Sequence, residues 1–253
     1  MGKQHGITKE EHKRRVGLLL MFLFNFKYAT FIEIQRFCIE RIGLSFARML
    51  LHSCMRKGYI AILQSRISTK KIYYLTAKGK TLINEVEILS GHYKFDSRCV
   101  GIGGMEHHSL ITECYFLIHK YLEIVEWDCE WVSRIGKGKG RKLADGLAVL
   151  NTGVKLAVEA ERTPKKLSRY KTIVTFYRHD IEKRNKYHGV VFVGEREWLY
   201  EKLKAVFALI EKEFCSKFFI FASLDMLKEG KCWYQDKEVL LKDAVKAIAE
   251  VKK

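Results

Sequence analysis

Proline is almost absent from this chain. Pro164 stands alone among 253 residues, which excludes a proline-rich linker, and no low-complexity stretch or internal repeat is present. Long apolar runs are missing too. The longest, Val16 to Phe24, is too short to cross a bilayer, and the opening MGKQHGITKE lacks the apolar core of a signal peptide. The seven cysteines are scattered singly, with no CxxC and no Cys/His zinc spacing. They read as buried free thiols in a reducing compartment, and the expectation is a cytoplasmic protein. Acids are scarce relative to bases: 29 Asp+Glu against 46 Lys+Arg, a formal charge of +17. That excess points to a polyanionic partner. Hydrophobic residues at 48% and aromatics at 12% suffice for a core and argue against disorder.

The first 95 residues carry 17 Lys+Arg against 6 Asp+Glu, +11 of the total. A helix is expected from about Glu11 to Phe26, apolar nearly all round and so central to a small domain. Thr30 caps a short helix with Ile32, Ile34, Phe37 and Cys38 as its apolar positions. Gly43 ends it, and Ser45 can cap a further helix through Lys57, which Gly58 stops. Two strands follow around a polar turn, Ser65 to Lys71. A last helix runs from Thr76 to Val86. Three helices and a hairpin make the order of a winged helix-turn-helix, DNA-binding over residues 1–95. Its recognition helix, 44–57, offers Ser45, Arg48, His52, Arg56 and Lys57. The wing offers Arg66, Lys70 and Lys71 to phosphates. A winged fold used for protein contact is the alternative.

Glycines 91, 101, 103 and 104 suggest a join, and residues 96–253 a second domain. A helix is expected from His107 to Leu122, with Glu113 either a fourth site carboxylate or a surface residue. His107 and His108 read as a cap or packed pair. Ile124 to Ile135 reads as a strand. The loop GKGKGRK (136–142) lacks phosphate-loop spacing, but Lys137, Lys139, Arg141 and Lys142 suit a DNA backbone.

The most informative stretch is LADGLAVLNTGVKLAVEAERTPKKLSRY, residues 143–170. Two apolar runs, Leu143–Leu150 and Val154–Val158, flank a Thr152-Gly153 turn. Asp145 lies on the first. Glu159 and Glu161, two apart on the second, share a face. Thr163-Pro164 is expected to open a long helix to about Lys183, bringing Lys165 and Lys166 over the strand end and placing Arg169 on a basic face. Three carboxylates and a lysine suit a hard divalent cation. A buried carboxylate at Glu159 would be costly without a cation. Tyr170 is either a covalent nucleophile or a packing residue. Beyond it come strands at 188–194 and 218–223, a helix at 195–214, an edge strand at 232–234 and a terminal helix at 238–251. The fold class is α+β, or mixed α/β.

Asp145 on one strand, Glu159-Ala160-Glu161 on the next, then Arg162-Thr163-Pro164-Lys165 and Arg169-Tyr170, resemble the PD-(D/E)xK restriction-endonuclease-like fold. More narrowly they look like the MobC-class relaxases of mobilisable plasmids and the related replication-relaxation family, which join a winged helix to a nuclease-like domain. The resemblance covers most of the chain. It departs where Ala144, not proline, precedes Asp145, and where Glu161 holds the usual lysine position. It implies Asp145, Glu159 and Glu161 as ligands of Mg²⁺ or Mn²⁺, with Lys165 or Lys166 as the following lysine. The implied activity is site- and strand-specific nicking of double-stranded DNA at a transfer origin, with a plasmid-encoded coupling ATPase as partner. Two alternatives remain: a non-catalytic DNA-binding regulator of transcription or replication with a degenerate nuclease-like domain, and a restriction or repair nuclease.

Overall fold

A computed structural model describes residues 8–44, 47–64, 71–84, 102–134 and 142–251. The chain divides into two compact units, Met1–Met105 and Glu106–Lys253, with the break beyond the expected residue 95. Helices and two sheets make it a mixed α and β protein.

The first unit is built on α1, Lys9–Phe26, whose N-cap Thr8 accepts from the Glu11 N–H. Leu19, Leu20, Phe22, Leu23, Phe24 and Phe26 are buried around nearly the whole helix, as a central helix requires. Lys27, at φ +66°, turns the chain into a strand that the pattern does not announce, β1, Tyr28–Thr30. Helix α2, Phe31–Ile42, opens on a reciprocal capping box between Thr30 and Glu33. Ile34, Phe37 and Cys38 are buried, but Ile32 is 74% exposed, a correction to its expected place on the apolar face. Gly43 ends α2 at φ +66°. Helix α3 is Ala47–Arg56, burying Ala47, Leu50, Leu51 and Cys54. Strands β2, Ile60–Gln64, and β3, Lys71–Leu75, pair antiparallel, with β1 on the far side of β3. Helix α4, Ala77–Asn84, follows. Phe22 stacks on Phe37 at 4.3 Å and ties α1 to α2.

The second unit carries most of α5, Ile102–Tyr121, and then a seven-stranded sheet. Strand β4 is Ile124–Cys129, and a short helix α6, Glu130–Ser133, replaces the second half of the expected strand. The chain leaves the sheet where the Glu130 N–H donates to the Asp145 carbonyl at 3.0 Å. Strands β5, Gly146–Leu150, and β6, Lys155–Glu161, form the expected hairpin, its turn closed by Gly153 at φ +79°.

Helix α7 is Leu167–Arg178, shorter than the expected helix from Pro164. Thr163 is not the cap: the Lys165 N–H that its side chain would accept is taken by the Tyr170 hydroxyl. Lys166 is the cap, with extended backbone and no side-chain bond. A π-helical turn, His179–Lys183, extends α7 around the buried Asp180, which Arg184 holds at 3.0 Å.

Strand β7, Gly189–Gly194, α8, Glu197–Phe218, and β8, Phe219–Ser223, complete two parallel crossovers. Helix α9, Leu224–Lys228, leads to β9, Lys231–Tyr234. The edge strand is β10, Lys237–Leu240, not β9, and α10 starts only at Leu241. Sheet order is β10-β9-β8-β7-β6-β5-β4, with β6, β7 and β8 parallel to one another.

Successive crossovers of one hand over strands laid in one direction put α7 and α8 on the same face. There Tyr170, Tyr177, Phe192, Phe207, Phe219 and Phe221 form one core. Phe192 and Phe207 lie 4.6 Å apart, each such ring contributing about 2 kcal/mol by burial. The six cysteines among the described residues are all buried and free. Burial pushes the thiols of Cys38 and Cys54 up to about 11. Among the described residues, no helix is long and apolar enough to cross a membrane.

Candidate functional site

Ligand sites in parallel sheets sit beyond the carboxyl ends of the strands, where crossovers leave a crevice. At that end of β6 the chain places Glu159 and Glu161. Register pairs Gly146 with Val158, so Asp145, one residue earlier, stands opposite Glu159 on the neighbouring strand. Gly146 allows the approach of β4: a Cβ there would lie 2.5 Å from the Trp127 ring.

Asp145 is held from two sides. Its Oδ2 accepts the Ala160 N–H at 2.9 Å, and its Oδ1 lies 3.5 Å from His107 Nε2 on α5. Burial acts to raise its pKa, but the His107 bond and charge, the Ala160 N–H and Lys142 together hold it below the ordinary value. The bond to Asp145 raises His107 in turn. His107 had read as a cap or packed residue. Its role depends on α5 folding back onto the hairpin, which no local signal reports.

Glu159 is 1% exposed. Lys142 Nζ donates to its two oxygens at 2.6 and 2.8 Å and to the Leu143 carbonyl at 3.2 Å. The Tyr177 hydroxyl, from α7, donates to Oε1. Burial, and then the charge of Asp145, push Glu159 up to about 7 despite Lys142 and Tyr177. Lys142 was expected among the phosphate-binding residues. In the structure it is the cation on the most buried acid of the site, where an unpaired carboxylate would cost several kcal/mol. Burial and Glu159 together lift the Tyr177 hydroxyl well above its ordinary range.

Glu161, also buried, pairs with Lys165. Burial raises its pKa, against the pull of Lys165. Lys165 therefore reaches the strand end as expected, although from an extended segment before α7, with its N–H donating to the Tyr170 hydroxyl at 3.0 Å. Tyr170 is buried against Phe207, and burial raises its pKa, the reverse of an activated nucleophile. Arg162 bridges Glu106 at 2.7 Å and Glu195 at 3.5 Å beside the cluster.

Glu113 is half-buried on α5, where its charge acts on Cys114 and Lys228. Six residues beyond His107, it is about 120° round the helix from it, away from the Asp145 side. In the first unit, Arg48, His52 and Arg56 are exposed on the face of α3 opposite its buried Leu50, Leu51 and Cys54, and Lys57 is exposed just beyond the end of α3. The Arg48 guanidinium lies 5.4 Å over the Phe31 ring. Lys71 is exposed at the start of β3, and Arg169 on α7. Ser45, Arg66, Lys70, Lys137, Lys139 and Arg141 lie outside the described residues.

The oxygen donors of Asp145, Glu159 and Glu161 suit a hard cation by type. As they stand, each carboxylate is matched by its own basic side chain: His107, Lys142 and Lys165 respectively. Among the described residues, no three or more His, Cys, Asp or Glu side chains are gathered as a metal centre.

Comparison with known proteins found no matching family model, no similar curated protein and no similar solved structure.

Proposed function

We propose that the protein is a divalent-metal-dependent DNA endonuclease of the relaxase or nickase type. A basic winged helix would find duplex DNA at a transfer origin, and a restriction-endonuclease-like domain would nick one strand. The observation that carries this reading is the pair Asp145 and Glu159, side by side across β5 and β6, with Glu161 and Lys165 at the same strand end. Antiparallel β4-β5-β6 followed by parallel β7 and β8 supports the nuclease-like assignment. Helices α1 to α3 with the β1-β3-β2 sheet support the winged-helix one.

Asp145 and Glu159 would hold Mg²⁺ or Mn²⁺, with Glu161 beside them. The raised pKa of Glu159, reached even with Lys142 in contact, comes first from burial and then from the neighbouring charge of Asp145. When bound, the cation would polarise the scissile phosphate and ease deprotonation of water. Lys165 would orient the attacking water or offset developing charge. Arg48, His52, Arg56, Lys57 and Lys71 would supply phosphate and groove contacts in the first unit, and Arg169 in the second. A plasmid-encoded coupling ATPase follows only from the relaxase resemblance.

One observation favours a second reading, a non-catalytic DNA-binding regulator: every site carboxylate already has a basic partner. The test is nicking of supercoiled plasmid carrying a candidate origin with Mg²⁺ or Mn²⁺, beside EDTA and a Glu159→Ala/Glu161→Ala variant. Relaxation that needs both metal and glutamates supports the nuclease. Tight binding without nicking under either metal leaves the regulator.

A further inference from the structure

No Asp or Glu occurs between Glu40 and Glu85, a stretch that holds α3, β2, β3 and α4. Helix α3 turns one side into the core through Ala47, Leu50, Leu51 and Cys54. The other side is a stripe of Met49, His52, Ser53 and Arg56, at the i, i+3, i+4 and i+7 spacing of one helix face. From Met49 to Arg56 the helix rises about 10 Å, close to the width of a DNA major groove, about 12 Å. Met49 is the apolar residue of that stripe, and it is 76% exposed. Its neighbour Arg48 has its guanidinium over the Phe31 ring of α2. Ile32 and Ile39 are also more than half exposed, but they share α2 with Glu33 and Glu40. Helix α3 has cations, an exposed apolar side chain and no acid. Such a surface suits a polyanion that itself presents an apolar group.

We propose that Met49 is a specificity-determining residue: it reads a thymine in duplex DNA by packing its thioether on the thymine C5-methyl in the major groove. This rests on the DNA-binding reading of the first unit and not on the nuclease reading of the second. The thymine methyl is the apolar group on the major-groove edge of the base pairs, which otherwise present donors and acceptors. Methionine has no donor and only a weak acceptor, so it cannot take a guanine or adenine edge as Arg or Asn does. Apolar contact is the readout left to it. The N-terminal residues of a recognition helix are those that meet base edges, and Met49 lies in the first turn of α3. His52 and Arg56, further along the stripe, supply donors to base edges and phosphates. The flexible thioether settles on the methyl without a shift of α3. Being largely exposed, Met49 has little packing to lose when it does so.

The experiment uses the full chain in EDTA, so that cutting does not intervene. Selection from a random duplex pool gives the site that wild type prefers. Each thymine of that site is then replaced in turn by uracil, which removes only the methyl. Affinities are measured for wild type, Met49→Ala, Met49→Leu and Arg56→Ala, all surface changes that leave the fold intact. At one thymine of the site, uracil should weaken wild-type binding about fourfold, the loss of one buried methyl. Met49→Ala should bind the thymine site at least that much more weakly and no longer tell thymine from uracil there. Met49→Leu, which keeps an apolar side chain, should restore most of the discrimination. Arg56→Ala should weaken binding to the thymine and uracil sites equally. Uracil that costs wild type and Met49→Ala the same at every position overturns the assignment and leaves duplex binding standing. So does a selected site without thymine, or duplex binding with no sequence enriched. No duplex binding at all overturns the DNA-binding reading with it, and turns the exposed face of α3 toward a protein partner.

Discussion

Asp145 and Glu159 face each other across β5 and β6, and their surroundings move their pKa values in opposite directions. Asp145 keeps its charge because a backbone N–H and His107 hold it. Glu159 resists ionisation because it is buried beside that charge. Adjacent acids with divergent pKa values are a common mark of a working site.

Stability should report this divergence. Glu159 loses its proton at about 7 when folded, against an ordinary value of 4.5. Its proton therefore favours the fold fully below pH 4.5, and that contribution is lost as pH rises to 7. Relative to Glu159→Gln, wild type should lose about 2 kcal/mol of unfolding free energy between pH 5 and pH 8. Urea unfolding at the two pH values measures it. A difference that does not change with pH would mean Glu159 ionises normally.

Lys142 should matter to folding through its pairing with Glu159. Removing one partner of a buried ion pair strands the other, so Lys142→Met should cost about 3 kcal/mol at pH 8. At pH 5, where Glu159 is protonated, the cost should be smaller. An equal loss at both pH values would assign it to packing of the lysine stem instead.

Lys165 should behave differently, being more exposed and paired at the strand end. Lys165→Met strands the buried Glu161, so it should lower stability, but by less than Lys142→Met because Lys165 is the more exposed lysine, and it should lower nicking about 10²-fold. Full nicking by this variant would remove Lys165 from the chemistry.

Tyr170 should prove to be a packing residue. Tyr170→Phe keeps the ring against Phe207 and removes only the acceptor for the Lys165 N–H, a loss of about 1 kcal/mol. Nicking should stay within a few-fold of wild type, with no protein–DNA adduct on denaturing gels. An adduct that vanishes in this variant would make Tyr170 the nucleophile after all.

The exposed face of α3 should supply salt-sensitive affinity. Arg48→Ala/Arg56→Ala should weaken duplex binding and reduce the slope of log affinity against log salt by about 2, one unit per lost phosphate contact. An unchanged slope would mean that α3 does not meet the backbone.

Much was legible because its causes are local. Helix α1 follows from its apolar run, α2 from the Thr30–Glu33 box and Gly43, and the β5–β6 hairpin from alternation around Thr152-Gly153. Period-2 geometry alone puts Glu159 and Glu161 on one face. The misjudged boundaries also have local causes. Thr163 does not cap α7 because the Lys165 N–H it would accept goes to the Tyr170 hydroxyl instead. Strand β1 is only three residues long, too short to show a period.

The sequence by itself determined most of the elements, the basic balance and the three acids of the candidate site. Tertiary structure alone decided which cation each acid receives. Lys142 meets Glu159 across 17 residues, and His107 meets Asp145 from another element. Spacing cannot encode such pairings, because they arise from burial. Once the sheet takes Glu159 out of water, the free energy of its charge depends on whichever base the fold brings within about 3 Å.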